Sequence, residues 1–303
     1  MPNFPKMDFF VADASAELNY ESQSKALGKM SDVNKNLLES IFGTDSENIN
    51  DIKFDLFNCQ LMIHFLLKDE ITWSNFCSNV NNYLANDGYV LITALDGELI
   101  HKKFKGNNGL IKELYNEESQ QKKLFEFKSN YDLQTNDIDR LGLSYDAFVT
   151  LLKEDENYDT EFLVTEKFLE KSLKKNCNLN LIESSSFYEI YEQQRLFFEN
   201  VAPKEEDSRS KNYFMKINEY YNLEDNVNKA CLEFSKLHKY YIFKKDTSNE
   251  TENIPKKKLK VKEQKVKEQK VTKKDDKKVK KGGSKSKESL ISKYLEQGST
   301  IDI

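Results

Sequence analysis

Residues 54–65 read FDLFNCQLMIHF, residues 71–85 ITWSNFCSNVNNYLA and residues 86–94 NDGYVLITA. Residues 53–60 have the length and aromatic content of a buried strand. In the next stretch Ile71, Trp73, Phe76, Val80 and Leu84 recur near helical spacing, and Asn86-Asp87-Gly88 supplies a stop. Residues 89–94 then read as a second strand. Strand, helix, turn and strand make a βαβ unit, which implies a parallel sheet with a right-handed crossover. The predicted fold class is therefore α/β.

Working outward, DFFVA at 8–12 reads as a buried strand with Asp13 at its carboxyl end. Ser31 is placed to N-cap a helix through Phe42, which Gly43 would end. Downstream, strands are predicted at 124–128, 147–152, 179–183 and 240–244, and helices at 162–175, 187–194 and 226–237. From Asp246 onward the character changes, and VKEQK occurs twice in tandem at 261–270. Too few apolar residues follow to build a core, so 246–303 is expected to be a mostly disordered Lys-rich tail. A short piece at 289–297 is expected to form a transient helix. The expected division is a folded region at 1–245 and the tail at 246–303.

Composition excludes several classes. No apolar run is long enough to span a membrane, and the first residues lack the basic-then-apolar layout of a secretion signal. Cys59, Cys77, Cys177 and Cys231 form no CxxC pair, so free thiols in a reducing compartment fit better than a disulfide framework or zinc site. With only His64, His101 and His238, metal hydrolysis has few ligands to draw on. Lysine far outnumbers arginine, and Asn, Ile, Tyr and Phe are plentiful. All are favoured by AT-rich codons, which fits a large DNA virus or a protist. The net charge is −5, yet residues 255–287 carry sixteen Lys against four acids, leaving −17 for the rest. An acidic body with a basic tail is a real asymmetry: such a tail either only solubilises the chain or attracts RNA phosphates without regard to sequence.

In open α/β sheets ligands sit at the carboxyl ends of strands. Asp13 and residues 58–60 occupy such ends, although a polar residue there is more often only a turn. The motifs carry more. FDLFNCQLMIHF resembles the FDxxSxQFxxHY signature of mRNA cap guanine-N7 methyltransferases, with Asp55, Cys59, Gln60 and His64 in register. NVNNYLANDGYVLITALDG resembles that family's NVSxxLKxGGYFIGTxxDG. FFVADAS at 9–15, EFLV at 161–164, SFYEIY at 186–191 and LHKYYIFKK at 237–245 match further segments in the expected order. The insertion carrying LGKM and NKNLLESIFG looks like members from large DNA viruses. The similarity spans about four-fifths of the chain, residues 4–245.

The resemblance implies a class I, Rossmann-like fold, S-adenosylmethionine as cofactor and capped RNA as partner. It implies that Asp13 accepts from the cofactor's adenine amino group, that Gln60 binds cofactor, and that Phe65 replaces a tyrosine at the cofactor pocket. It gives His64 a contact with the cap guanine, sets Glu161 against the guanine N1 and N2 hydrogens, and puts Tyr240 near the cap, with Tyr241 the choice if the register slips by one. Read alone, each has a plainer role: His64 a core histidine, Glu161 a helix-start acid, Tyr240 a core aromatic. No general base is expected, because N7 has a lone pair and no proton to lose. Neither a metal nor a membrane is implied.

The chain departs from the pattern. Asn58 stands for serine, Leu61 for phenylalanine and Phe65 for tyrosine. The family's GxGxGGD loop, its preceding lysine and a ribose-binding acid belong before Asp13, where only a few residues stand. This predicts a domain incomplete at its N-terminus, with unpaired strand edges. A fragment or capping-enzyme subunit supplying the rest would be a partner. The alternative is a non-catalytic subunit that binds RNA or a capping partner, and a third reading is a small-molecule methyltransferase. The expected setting is the cytoplasm, nucleus or viral factory of a host cell.

Overall fold

A computed structural model describes residues 7–117, 120–150, 157–201, 208–219 and 221–246. The chain divides into two units, Met1–Asn253 and Ile254–Ile303, and every described residue lies in the first. The expectations for the tail, the helix at 289–297 and the strand end at 151–152 fall outside the described residues.

The βαβ unit is present. Strand β1 (Phe54–Gln60) and β2 (Leu84–Leu95) pair in parallel, with α3 (Ile63–Leu66) and α4 (Glu70–Tyr83) between them. Helix α4 starts where Asp69 accepts from the Ile71 and Thr72 amides. It stops at Tyr83, before the predicted Asn-Asp-Gly stop; that turn is absorbed into β2, where Asp87 takes φ 63°. Strand β8 (His238–Lys245) runs antiparallel to β2, and β7 (Leu179–Ser186) antiparallel to β8. The sheet order is β1-β2-β8-β7, a mixed α/β sheet rather than an all-parallel one. Trp73, Phe76 and Val80 of α4 and Leu169 and Leu173 of α6 (Glu166–Cys177) pack on Val90, Ile92, Tyr241 and Phe243 of the sheet.

A second sheet went unpredicted as such. β3 (Leu110–Glu117), β4 (Gln120–Ser129), β5 (Ser144–Val149) and β6 (Asp159–Phe162) are antiparallel in sequence order. Their core, with Phe104 of α5 (Gly97–Gly106) and Ala230 of α9 (Asn226–Ser235), is centred on Phe125, Phe127 and Tyr145. Two corrections follow. Glu161 stands on β6, not at a helix start. The helix begins only at Glu166, because the buried Thr165 hydroxyl accepts from the Phe168 amide and caps it.

Residues 8–12 are extended but form no strand. Side-chain amides take the place of a ladder. Asn34 bonds both Val11 N (2.6 Å) and Val11 O (2.8 Å), and Gln23 bonds both Asp13 N (2.6 Å) and Asp13 O (2.9 Å). Asn34 lies on α2 (Asp32–Phe42), capped by Ser31 as predicted, and Gln23 on α1 (Tyr20–Leu27), which was not predicted. Phe10 and Ala12 pack on Leu38, Phe42 and Tyr83, while Phe9 is 83% exposed. The segment is therefore a surface strap, not a buried strand. β1, whose Leu56 is exposed, is the edge of its sheet among the described residues.

Two further helices, α7 (Phe187–Val201) and α8 (Ser208–Glu219), precede α9. Among the described residues, no helix is long and apolar enough to cross a membrane.

Candidate functional site

The two sheets meet over a cavity of about 310 Å³. Its floor is the turn after β1, with Leu61, His64 and Phe65, and its far wall is Asp159 and Glu161 of β6 with Phe127 and Val149. Leu95, Phe234 and His238 close it. Asp159 and Glu161 are two residues apart on one strand, so both carboxylates project from one face. A mostly aromatic chamber with a few polar groups has the build of a ligand site.

The polar geometry is specific. Glu161 Oε2 accepts from the Tyr145 hydroxyl at 2.7 Å, and Oε1 is 3.8 Å from His64 Nε2. That separation is too long for a direct hydrogen bond. Burial lowers the His64 pKa to about 4, helped by His238 and opposed by Asp159. Proximity to a carboxylate would suggest an ion pair, but desolvation outweighs it, and the imidazole is neutral near pH 7. His238 is likewise lowered by burial, and its Nδ1 lies 3.0 Å from Phe234 O. A carbonyl only accepts, so Nδ1 carries the proton and Nε2 is left as an acceptor. The rings of His64 and Phe65 are 4.1 Å apart.

Leu61 adopts φ 49°, which costs a side-chain-bearing residue energy. Its amide reaches Thr93 O and Thr93 Oγ1, both at 3.0 Å, and Thr93 Oγ1 in turn donates to Gln60 Oε1 at 2.9 Å. Gln60 Nε2 donates to Asn58 Oδ1. The ends of the two parallel strands thus clamp the turn that forms the cavity floor.

Met62 of the same segment borders a smaller apolar cleft of about 170 Å³, lined also by Ala12, Ala14, Leu18, Phe57, Cys59, Phe76 and Asn79. Ala12 and Ala14 flank Asp13, whose Oδ1 accepts from Ser15 N (2.8 Å) and Ser15 Oγ (2.6 Å). Carboxylates have more than one lone pair per oxygen, so these bonds leave acceptor capacity for a ligand. Asp13 itself is not among the residues that line this cleft, and Gln60 lines neither space.

The structure brings His64 and Glu161 together: both line one cavity although they are 97 positions apart. Phe65 lines this cavity too, not the cleft beside Asp13. Tyr240 is not among the lining residues: it bonds Glu183 across the β7–β8 pair. Tyr241, the alternative register, is fully buried on the opposite face of β8. Sequence reasoning missed Asp159, Tyr145, Phe127, Phe234 and His238. The alternation in SYDAFV at 144–149 and the period-two acids in DTEF at 159–162 were available signals. Among the described residues, no group of three or more His, Cys, Asp or Glu could hold a metal ion.

Comparisons with known proteins bear on this arrangement. No protein-family model matches the chain. It is 37% identical over 262 residues, 82% of its length, to the "Probable mRNA-capping enzyme" of Acanthamoeba polyphaga mimivirus. It spans 22% of that enzyme, about a fifth. Solved structures that align with it include an S-adenosylmethionine-dependent methyltransferase from Clostridium acetobutylicum, at TM-score 0.32 and 16% identity over 74% of this chain and 69% of that one. Another is the glycopeptide N-methyltransferase MtfA with S-adenosyl-L-homocysteine, at TM-score 0.25 and 11% identity over 55% and 61%. The mimivirus relative bears out the resemblance to viral capping enzymes: the chain is similar to a segment of that protein.

Proposed function

We infer that this chain, similar over most of its length to a segment of a viral mRNA-capping enzyme, serves that pathway's methyl transfer to N7 of the cap guanine. One observation carries the reading. A cavity lined by Glu161 and His64 and a cleft lined by Ala12 and Ala14, the neighbours of Asp13, share the segment after β1: Leu61, His64 and Phe65 line the first and Met62 the second. A direct displacement requires the acceptor and donor sites to open onto one another, so that N7, the methyl carbon and sulfur come into line and contact beside that segment.

Asp13 and the apolar cleft walled by its neighbours Ala12 and Ala14 would hold the adenine of S-adenosylmethionine, with Gln60 at the end of β1. That cofactor, when bound, supplies the methyl group. The chain's own residues do the rest by placement. Glu161 accepts from the N1–H and N2–H edge of guanine, which turns N7 away from it. Neutral His64 contacts the base without repelling the positive charge that develops on it. As N7 is alkylated the ring becomes cationic, so the carboxylates of Glu161 and Asp159 stabilise the product-like state more than the ground state. The aromatic faces of Phe65, Phe127 and Phe234 act in the same sense. No residue has to remove a proton, so no general base is assigned.

The test is Glu161→Gln. A charge-assisted hydrogen bond is worth about 1.5–3 kcal/mol, so guanosine-cap affinity should fall roughly 10–100-fold. S-adenosylmethionine affinity, read by calorimetry, should not change. Equal cap affinity in the variant would sink the assignment. Cofactor-free cap binding with no turnover would favour the non-catalytic subunit instead.

A further inference from the structure

We propose that Tyr145 is a positioning residue: it sets the plane of the Glu161 carboxylate and thereby the cavity's preference for guanine over bases lacking a 2-amino group. The proposal rests on the cap-binding reading above.

Tyr145 and Glu161 are directly opposite in the antiparallel β5–β6 pair, so their side chains project from the same face. Tyr145 is 1% exposed and is packed by the rings of Phe104 and Phe127, with centroids 6.0 and 5.8 Å away. Its hydroxyl donates to Glu161 Oε2 at 2.7 Å. It does not line the cavity; it stands behind the residue that does. A fully buried tyrosine whose hydroxyl meets a cavity-lining carboxylate has one way to act on a ligand, through that carboxylate.

The physical need is plain. A glutamate has three side-chain torsions, and its terminal one is soft. The guanine edge presents two parallel N–H donors, which both carboxylate oxygens can meet only when the carboxylate is coplanar with the base. A tether on Oε2 from a rigid ring removes that last rotation in advance, and each carboxylate oxygen keeps a lone pair for the ligand. Hypoxanthine has N1–H but no 2-amino group. It needs one acceptor oxygen and is indifferent to the carboxylate plane.

The experiment compares guanosine- and inosine-capped dinucleotides by calorimetry at fixed salt, in wild type, Tyr145→Phe, Glu161→Gln and the double variant. Wild type should prefer the guanosine cap by about tenfold, the value of one hydrogen bond. In Tyr145→Phe that ratio should fall toward one, mostly through weaker guanosine-cap binding, with S-adenosylmethionine affinity unchanged. On a Glu161→Gln background, Tyr145→Phe should change the ratio no further. An unaltered ratio in Tyr145→Phe, or equal weakening toward both caps, overturns the proposal and leaves cap binding standing. Wild type that binds neither cap overturns the cap reading and this one with it.

Discussion

His64 is held neutral by burial, and that choice has a pH signature. Its pKa is about 4 in the folded chain, against about 6.5 unfolded. Because the folded value is depressed, the neutral imidazole's full contribution is present above pH 6.5 and is lost as pH falls toward 4. At pH 5 the loss is roughly 2 kcal/mol. His238 is lowered too and adds in the same direction. Glu98 opposes both. Burial raises its carboxyl to about 7, so protonation between pH 7 and 4.5 favours the folded state. Wild-type stability should therefore change little between pH 7 and 5. Urea unfolding of Glu98→Gln should show a clear loss over that interval, and His64→Asn should show less loss than wild type or a gain. Identical profiles in all three would refute the neutral, buried state of His64.

Gly97 governs how the two halves of the cavity meet. It opens α5 directly after β2, and its amide bonds Val164 O at 2.9 Å. A Cβ there would lie 2.6 Å from Val164 O and 2.8 Å from Val164 C, both backbone atoms that cannot swing aside. Val164 is two residues from the end of β6, so this close approach sets the distance from Glu161 to the β2 end of the first sheet. Gly97→Ala should cost about 1–3 kcal/mol by overpacking, read as a lower urea midpoint, and weaken cap binding as well. Thr165→Ala removes the α6 cap and a bond to Asp139 (2.9 Å), and should cost about 1 kcal/mol. A normal cofactor affinity in both would agree, since neither touches the Asp13 cleft. Elements with strong periodicity and caps, such as β1, α4, β2 and Ser31-capped α2, were legible in the sequence. β6 was not: its four residues are too few to show sustained alternation, and the helix was predicted to start at Phe162, the last residue of β6, rather than after the Thr165 cap. Nor was the strap at 8–12, whose partners are the amides of Asn34 and Gln23 and leave no periodic trace.

At the scale of the whole molecule, the same limit governs the site. His64 and Glu161 were legible only through ordered motifs, because local pattern cannot say that a turn after β1 faces a strand of another sheet. Tyr145 and Asp159 carry no motif, and only the folded pairing of β5 with β6 marks them. Charge, by contrast, is legible without a fold. Residues 255–287 carry sixteen Lys and four acids, while the remainder of the chain sums to −17. An acidic body repels RNA phosphates at long range, so under the proposed function a capped transcript would have to be drawn in by something basic. If the tail does this, RNA affinity depends on salt through the counterions it releases, with a slope of about −0.7 per phosphate neutralised on a single strand. The lysine-rich stretch 255–287 holds no aromatic residue, so it should add affinity without base preference. Deleting residues 254–303 should flatten the plot of log affinity against log salt for a capped oligonucleotide by several units. It should leave the affinity for a cap dinucleotide, which has few phosphates, nearly unchanged. Equal slopes with and without the tail would remove it from RNA capture and leave the cavity to hold the cap alone.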